Sequence, residues 1–248
     1  MKELEFLKRI LPLAYSVCCG SGVEVSAKAE FDVVTNVDKA IELFFAEELK
    51  KEFPDDVLLG EEFSSQQEAL GRTWILDPID GTYNFSIGSP LYGVQGALME
   101  DGEVIASVIY LPKFGELYEA TKGGGAFCNG VRLSVSDRKV SDSIVSFGDW
   151  PHPKPALAWE QSRMMQNAHT YIARFRMYGA ACVDFANLAS GKTEGVVLFT
   201  QNKWDLCPGM LLAKEAGAIL LDPDGNPYTY QARGIVACSR REIYEALK

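Results

Sequence analysis

From residue 144 onward, short apolar strands take turns with amphipathic helices, and this alternation limits the fold more than any other feature of the chain. Residues 144–147, 173–177 and 195–199 read as strands, with helices at 156–167, 181–189 and 206–216. Strands at 219–221 and 235–237 and a helix at 240–247 complete the pattern. Strands buried on both faces need helices on both sides, so this half implies α/β layering. The first half reads differently. Helices at 3–19, closed by Gly20-Ser21-Gly22, and at 36–53, ended by Pro54, precede short strands at 57–59 and 74–76. A meander follows, with strands at 94–99, 104–110, 117–120 and 126–128. Its turns carry Asp101-Gly102 and Asn129-Gly130, both hairpin signals. The expectation is an α/β chain whose N-terminal half is α+β. It divides into subdomains 1–138 and 139–248, packed tightly because no flexible linker lies near 138.

Charge narrows the function. Lys plus Arg number 24 against 34 Asp plus Glu, a net charge of −10. Such a surface repels a phosphate backbone, so no nucleic-acid partner is expected. An anionic small substrate would need a local source of positive charge. With only His152 and His169, a zinc centre or a histidine-dependent triad has little to draw on. The six cysteines are scattered, with no C-x-x-C pair, which suits buried thiols in a reducing, cytoplasmic setting. Residues 10–19 form a short apolar run after Lys8 and Arg9, as a signal peptide would. Glu3 and Glu5 contradict a basic leader, and the helical recurrence of Leu4, Leu7, Leu11, Ala14, Tyr15 and Cys18 favours an amphipathic helix. No apolar run is long enough to span a membrane, so no membrane partner is expected.

The strongest local signal is Trp74-Ile75-Leu76-Asp77-Pro78-Ile79-Asp80-Gly81-Thr82. An apolar strand runs into two carboxylates, with Asp77 expected at the strand end and Asp80 opening the next segment. Pro78 stiffens the turn, and Gly81 lets backbone approach a ligand closely. The N–H groups of Gly81 and Thr82 at a helix start would suit an anion. The plain alternative is an aspartate capping a tight turn. A hard divalent cation needs several oxygen ligands, so further acids decide between the two. Glu61 follows the strand at 57–59, and Asp205 precedes an apolar helix that has Pro208 in its first turn. Thr35-Asn36-Val37-Asp38 reads as a capping box.

Asp32-x-Val34-Thr35-x-x-Asp38, Gly60-Glu61-Glu62, the 74–82 element and Trp204-Asp205 resemble, in order and spacing, the inositol monophosphatase family of Mg²⁺-dependent, lithium-sensitive phosphatases. The resemblance runs from Asp32 to about Gly217. It implies a layered αβαβα sandwich of the sugar-phosphatase type. It also implies two or three Mg²⁺ ions, one on Glu61, Asp77 and the Ile79 carbonyl, a second on Asp77, Asp80 and Asp205, and a weaker third near Glu61. The phosphate would take N–H bonds from Gly81 and Thr82. Asp38, Glu61 and Thr82 would be catalytic, Asp38 accepting the Thr82 hydroxyl proton while Thr82 orients the attacking water. Four acids in one pocket would repel phosphate, and divalent cations reverse that field. A homodimer is implied by the resemblance and by the general frequency of two-fold assemblies.

Substrate identity is less constrained. Gly179-Ala180-Ala181 resembles the family's substrate-facing Gly-Ser/Thr-Ala segment, with Ala180 replacing the hydroxyl residue; Asp80 would also touch substrate. Inositol-hydrolysing members often carry a glutamate seven residues before the Trp-Asp aspartate, where this chain has Leu198. Either Leu198 faces the leaving group, or it sits in the strand at 195–199 with its side chain in the core. A small polyol or sugar phosphate is the leading substrate. Fructose 1,6-bisphosphate, a 3′(2′),5′-bisphosphate nucleotide and histidinol phosphate are alternatives, and a non-catalytic metal-binding regulatory module is the reading from another class. Ser190-Gly191-Lys192-Thr193 imitates a P-loop, but its leading glycine is replaced by Ala186, which leaves a helix-to-strand turn. Gly123-Gly124-Gly125 reads as a turn in the meander, and His152 as part of a Pro-rich loop.

Overall fold

The computed structural model describes residues 1–20, 22–63 and 71–248; Ser21, part of the expected helix stop, lies outside them. Helix α1 (Lys2–Cys18) buries Phe6, Leu7, Ile10, Leu11 and Ala14 along one stripe. Strands β1 (Val25–Ala29) and β2 (Asp32–Thr35) form an antiparallel hairpin absent from the sequence reading. No residue of β1 is buried, so no alternation marks it. Helix α2 (Asn36–Glu52) opens with the expected capping box: the Asp38 N–H donates to Thr35 Oγ1 (3.4 Å), and the Thr35 N–H donates to Asp38 Oδ2 (3.0 Å).

Strand β3 (Val57–Gly60) pairs in parallel with β4 (Arg72–Asp80), and the short α3 (Thr82–Ser86) follows. Strands β5 (Gly93–Glu100), β6 (Glu103–Leu111), β7 (Glu116–Thr121), β8 (Gly125–Cys128) and β9 (Val131–Arg132) continue as an antiparallel meander. The resulting seven-stranded sheet keeps sequence order from β3 to β9. Its Asp-Gly and Asn-Gly turns have both residues at positive φ: Asp101 50° and Gly102 82°, Asn129 47° and Gly130 79°.

The second half alternates as expected: β10 (Ile144–Phe147), α4 (Pro155–Ala168), β11 (Arg174–Arg176), α5 (Ala181–Ala189), β12 (Gly195–Leu198), α6 (Lys203–Glu215), β13 (Ile219–Leu221), β14 (Ile235–Cys238) and α7 (Arg241–Leu247). The five strands order as β11-β10-β12-β14-β13, with β10 parallel to β11 and β12 and β14 antiparallel to both its neighbours.

Packing stacks these elements in five layers. Helices α1 and α2 cover one face of the larger sheet, α5 and α6 lie between the two sheets, and α4 and α7 cover the far face of the smaller. The chain is thus a layered αβαβα sandwich. Trp74 anchors the first interface, edge-on to Phe6 with 5.2 Å between ring centroids. Every residue of α6 from Leu206 to Ala213 is buried, because this helix is clamped from both sides: Cys207 joins the cluster of Leu59, Ile75 and Ala97, while Leu206 and Met210 join that of Val196 and Ile235. That clamping fixes where Asp205, in the first turn of α6, sits relative to the end of β4. Among the described residues no helix is long and apolar enough to cross a membrane.

Candidate active site

The strand expected to stop at Asp77 continues through Pro78 to Asp80. The strand runs on because of its register with β5. Asp77 faces Gln95 and Asp80 faces Gly93, so three steps along β4 match two along β5. This one-residue bulge lets a proline sit in the strand without breaking the ladder. It also changes parity: in regular pleating, side chains three apart point to opposite faces, whereas the extra residue lets Asp77 and Asp80 border one cleft. Gly81 then turns the chain into α3 at φ 87°. A Cβ there would sit 2.9 Å from the Ala180 Cβ and 3.0 Å from the Leu91 carbonyl oxygen, so both space and backbone require glycine.

The cleft has a volume of about 280 Å³ and lies between the two halves of the chain. Glu61 and Asp205 border it together with Asp77, Ile79, Asp80, Gly81, Thr82 and Gly179. Glu61 stands at the end of β3 and Asp205 in the first turn of α6. Asp205 is aimed by Thr200 Oγ1 (2.9 Å) and Asn202 Nδ2 (3.1 Å), which both donate to its Oδ2. Asp80 is gripped on both oxygens. The Ala181 N–H donates to Oδ1 (3.1 Å), while Gln95 Nε2 (3.0 Å) and the Cys182 N–H donate to Oδ2. Asp38 is fully buried behind the cleft. The Thr82 hydroxyl lies 3.1 Å from Asp38 Oδ1 and 2.8 Å from the Ile79 carbonyl oxygen, with one proton to serve either.

Electrostatics set this cleft apart. Burial first, then the neighbouring Asp205 charge, pushes the Glu61 carboxyl up to about 7. Burial and the Asp80 charge push Asp205 to about 7. Asp80 rises to about 6, burial outweighing the N–H bonds that pull it down. Asp77 is raised well above the usual carboxylate range by burial and by Glu61. Its Oδ1 is buried with no hydrogen-bond partner. A buried carboxylate oxygen with no donor is costly unless something positive meets it. The donor set is all oxygen, with no thiol or imidazole, which suits a hard cation such as Mg²⁺ rather than zinc. Among the described residues no three His, Cys, Asp or Glu side chains are gathered tightly enough to cage an ion as they stand. Lys28 reaches over from β1 to pair with Glu61 (2.8 Å) and Glu62 (2.7 Å). The residues fit a divalent cation on charge and chemistry, with Glu61 shared between it and Lys28.

Three of the expected substrate residues lie elsewhere. Leu198 is 5% exposed, paired with Ile235 across the sheet and packed in the cluster of Phe185, Leu206 and Met210. All four residues of β12 are buried, so counting back from Asp205 selects a core position and not the cleft wall. Ala180 is buried against Gly81, and Ala181 contributes its N–H to Asp80 rather than its side chain to the cleft. Residues that sequence reasoning passed over take part instead. Glu42, buried on α2, accepts the N–H groups of Glu62 (2.8 Å) and Phe63 (3.0 Å) and so fixes the segment carrying Glu61. Gly60 makes room for it: a Cβ there would lie 2.2 Å from Glu42 Oε1. Phe31, at the tip of the β1–β2 hairpin, lines the cleft and stacks on His152 with 4.5 Å between centroids. No short sequence motif announces any of these, since each acts through a contact between distant segments.

Comparison with known proteins gives a consistent result. The profile of the inositol monophosphatase family matches residues 11–248. The inositol-1-monophosphatase of Rhizobium meliloti (strain 1021) is 35% identical over 228 residues, covering 91% of this chain and 85% of that protein. The crystal structure of extragenic suppressor protein suhB from Bartonella henselae superposes with a TM-score of 0.90 at 29% identity, covering 100% of this chain and 99% of that one. An IMPase/NADP phosphatase solved with Mg²⁺ and phosphate superposes with a TM-score of 0.82 at 26% identity, over 98% of this chain and 92% of that one.

Proposed function

The chain belongs to the inositol monophosphatase family, and from that premise we propose that it hydrolyses a small polyol or sugar monophosphate at the cleft between its two halves. It is a phosphoric monoester hydrolase of the inositol monophosphatase type, dependent on Mg²⁺. The observation that carries the reading is four carboxylates around one cleft, Asp77 and Asp80 buried and Glu61 and Asp205 half-buried, with Asp77 Oδ1 lacking any partner. In this reading Glu61, Asp77, Asp80, Asp205 and the Ile79 carbonyl hold two to three Mg²⁺ ions. When bound, Mg²⁺ supplies the positive charge that draws the phosphoryl oxygens into an acidic cleft and acidifies a water molecule.

The chain's own residues then have separate tasks. Asp38, buried and fixed by Thr35, holds the Thr82 hydroxyl so that its oxygen can accept a hydrogen bond from the attacking water. Glu61 is placed to take up a proton from that water. The N–H groups of Gly81 and Thr82 bind the phosphoryl oxygens, and Asp80 stays rigid because three donors clamp it. Residues 1–138 and 139–248 act as one catalytic unit, since Asp205 completes a site otherwise built in the first half. The chain works as a homodimer in the cytoplasm, a setting that its six free cysteines fit.

Phosphate release from sugar, inositol and nucleotide phosphates, with and without Mg²⁺, tests the proposal. The expected result is turnover of inositol 1-phosphate that needs Mg²⁺ and is inhibited by millimolar Li⁺. Absence of turnover on every ester at saturating Mg²⁺ would leave the regulatory-module reading. Light scattering that gives a single-chain mass across a wide concentration range would refute the dimer.

A further inference from the structure

The cleft continues beyond the carboxylates assigned to Mg²⁺, and two acids on its wall have no part in that assignment: Asp32, which accepts the Val33 N–H (2.8 Å), and Asp149. Asp149 lies just past the end of β10 and borders the cleft beside Gly179 and Asn202. Its side chain is exposed and makes no hydrogen bond or ion pair among the described residues. The space before it is kept open by a glycine. A Cβ on Gly179 would lie 3.5 Å from Asp149 Oδ2, and the φ of 71° there disfavours any side chain. The backbone at this point is pinned by Asn84, whose Nδ2 donates to the carbonyls of Tyr178 and Leu91, both at 2.7 Å. An unpaired carboxylate therefore faces a rigid, open part of the cleft.

The charges around it decide what it can meet. Asp32 also borders the cleft, and among the described residues no Lys or Arg does. Lys28, which reaches Glu61 at the cleft, is engaged by Glu61 and Glu62. Two divalent ions would offset the four acids assigned to them and leave Asp149 and Asp32 uncompensated. A carboxylate so placed accepts hydrogen bonds from hydroxyl groups and repels a second anion. The stacked rings of Phe31 and His152 add an aromatic surface on which the C–H face of a ring can rest.

We infer that Asp149 is the hydroxyl acceptor for the departing alcohol and that it makes the enzyme selective for polyols carrying a single phosphate. The inference rests on the phosphatase reading above. It puts the polyol contact on the loop after β10, in place of the strand position occupied by Leu198, and it disfavours bisphosphates as substrates.

The test uses the full chain at saturating Mg²⁺ with three probes: inositol 1-phosphate, inositol 1,4-bisphosphate and p-nitrophenyl phosphate, which has no hydroxyl to donate. Two ratios of kcat/KM separate the two effects. In Asp149→Ala, the preference for inositol 1-phosphate over p-nitrophenyl phosphate should fall about 10- to 100-fold, the range for a lost hydrogen bond to a charged acceptor. The ratio of bisphosphate to monophosphate should rise about threefold or more, because both inositol esters lose the acceptor and only one is relieved of repulsion. Asp149→Asn should show the same rise with a smaller fall, since an amide still accepts. Retained hydrolysis of p-nitrophenyl phosphate shows that the variant is folded and active. Both ratios unchanged in Asp149→Ala, with p-nitrophenyl phosphate still hydrolysed, would overturn the role of Asp149 and leave the phosphatase reading standing. Failure of the unaltered chain to hydrolyse any of the three would overturn that reading and this inference with it.

Discussion

Helix α6 borders a different hollow at each of its ends. Its first turn brings Asp205 to the acidic cleft, of about 280 Å³. Its C-terminal half, with Met210, Leu211, Lys214 and Glu215, lines a larger cavity of about 520 Å³ against Tyr228 and Tyr230. In the larger hollow most charges are matched from within. Glu215 accepts the N–H groups of Gly123 and Gly125, both at 2.8 Å, and Lys122 pairs with Glu103. The two tyrosine rings meet edge to face at 5.9 Å. In the smaller hollow Asp77 and Asp80 are buried and Glu61 and Asp205 half-buried, the four repel one another, and among the described residues no Lys or Arg lines the cleft. A fold that tolerates such a cluster needs an external charge to complete it, whereas a hollow whose groups already satisfy each other does not. Unresolved charge, and not volume, marks the functional end of α6.

The sharpest way to break that comparison is one substitution in each hollow. Asp77→Asn keeps the shape of the side chain and removes the charge. Activity should fall about 10³-fold at saturating Mg²⁺, a loss of about 4 kcal/mol in transition-state stabilisation. Without Mg²⁺, the same variant should melt higher than the unaltered chain at pH 8, because it no longer buries an unpaired carboxylate. A gain of about 1 kcal/mol corresponds to about 2–4 °C in a chain of this size. Tyr228→Phe in the larger hollow should change kcat/KM less than about twofold. Equal losses at the two sites, measured on one phosphate ester, would erase the distinction between them.

Leu198 probes the core behind the larger hollow, since its cluster includes Met210, which lines that hollow. Leu198→Ala should cost about 2–5 kcal/mol in denaturant unfolding through the cavity it leaves. The ranking of substrates should stay as it was. Leu198→Glu buries a charge with no partner and should not yield folded protein. A folded Leu198→Glu chain with a new preference for inositol phosphate would return this residue to the cleft.

The contrast also explains what could be read from the sequence. Strands and helices from 144 onward were legible because burial on both faces writes continuous apolar runs, as in the wholly buried β12. The acids that line the cleft, Glu61, Asp77, Asp80 and Asp205, were legible as an ordered set of short motifs. The hairpin of β1 and β2 was not, since its first strand is exposed throughout and carries no periodic signal. The bulge that brings Asp77 and Asp80 to one side depends on the partner strand β5, which no local pattern specifies. Glu42 looks like one more charge on a solvated helix, and only the approach of Gly60 and the 62–63 backbone shows that it is buried.

Metal-free stability should follow pH with a sign set by the cleft. Burial and mutual repulsion raise the folded-state carboxyls of Glu61 and Asp205 to about 7 and Asp80 to about 6, against ordinary values of 4.5 for Glu and 3.8 for Asp. For groups raised on folding, the favourable contribution is complete below the ordinary value and is lost as pH climbs through the raised one. The metal-free chain should therefore lose stability between about pH 4 and pH 7, and Mg²⁺ should restore it above pH 7. Ligand at a hundred times its dissociation constant adds about 2.7 kcal/mol. Thermal melts at pH 5 and pH 8, with and without Mg²⁺, read this directly. A Mg²⁺ effect no larger at pH 8 than at pH 5 would detach the ion from these carboxylates.

The smallest effect concerns a residue that never touches the cleft. Glu42 is buried on α2, and burial raises its carboxyl above the usual range. Each of its oxygens accepts one backbone N–H, from Glu62 and from Phe63, so the segment after β3 is held at two points next to Glu61. In Glu42→Gln one oxygen still accepts, but the amide NH₂ then confronts an N–H, donor against donor. The segment must shift to relieve that contact, and Glu61 shifts with it. Partners of metal ligands typically influence affinity by ~10–100-fold. The lower end is expected here, because one of the two bonds survives and Glu61 already divides its charge between the ion site and Lys28. The Mg²⁺ concentration for half-maximal activity should rise about tenfold, while kcat at saturating Mg²⁺ changes less than about twofold, since a positioning residue alters how readily the site is completed and not what the completed site does. A fall in kcat at saturating Mg²⁺ with no change in that concentration would show that Glu42 acts on the chemistry itself, and the separation between the acids that hold charge and the frame that places them would fail at its nearest point.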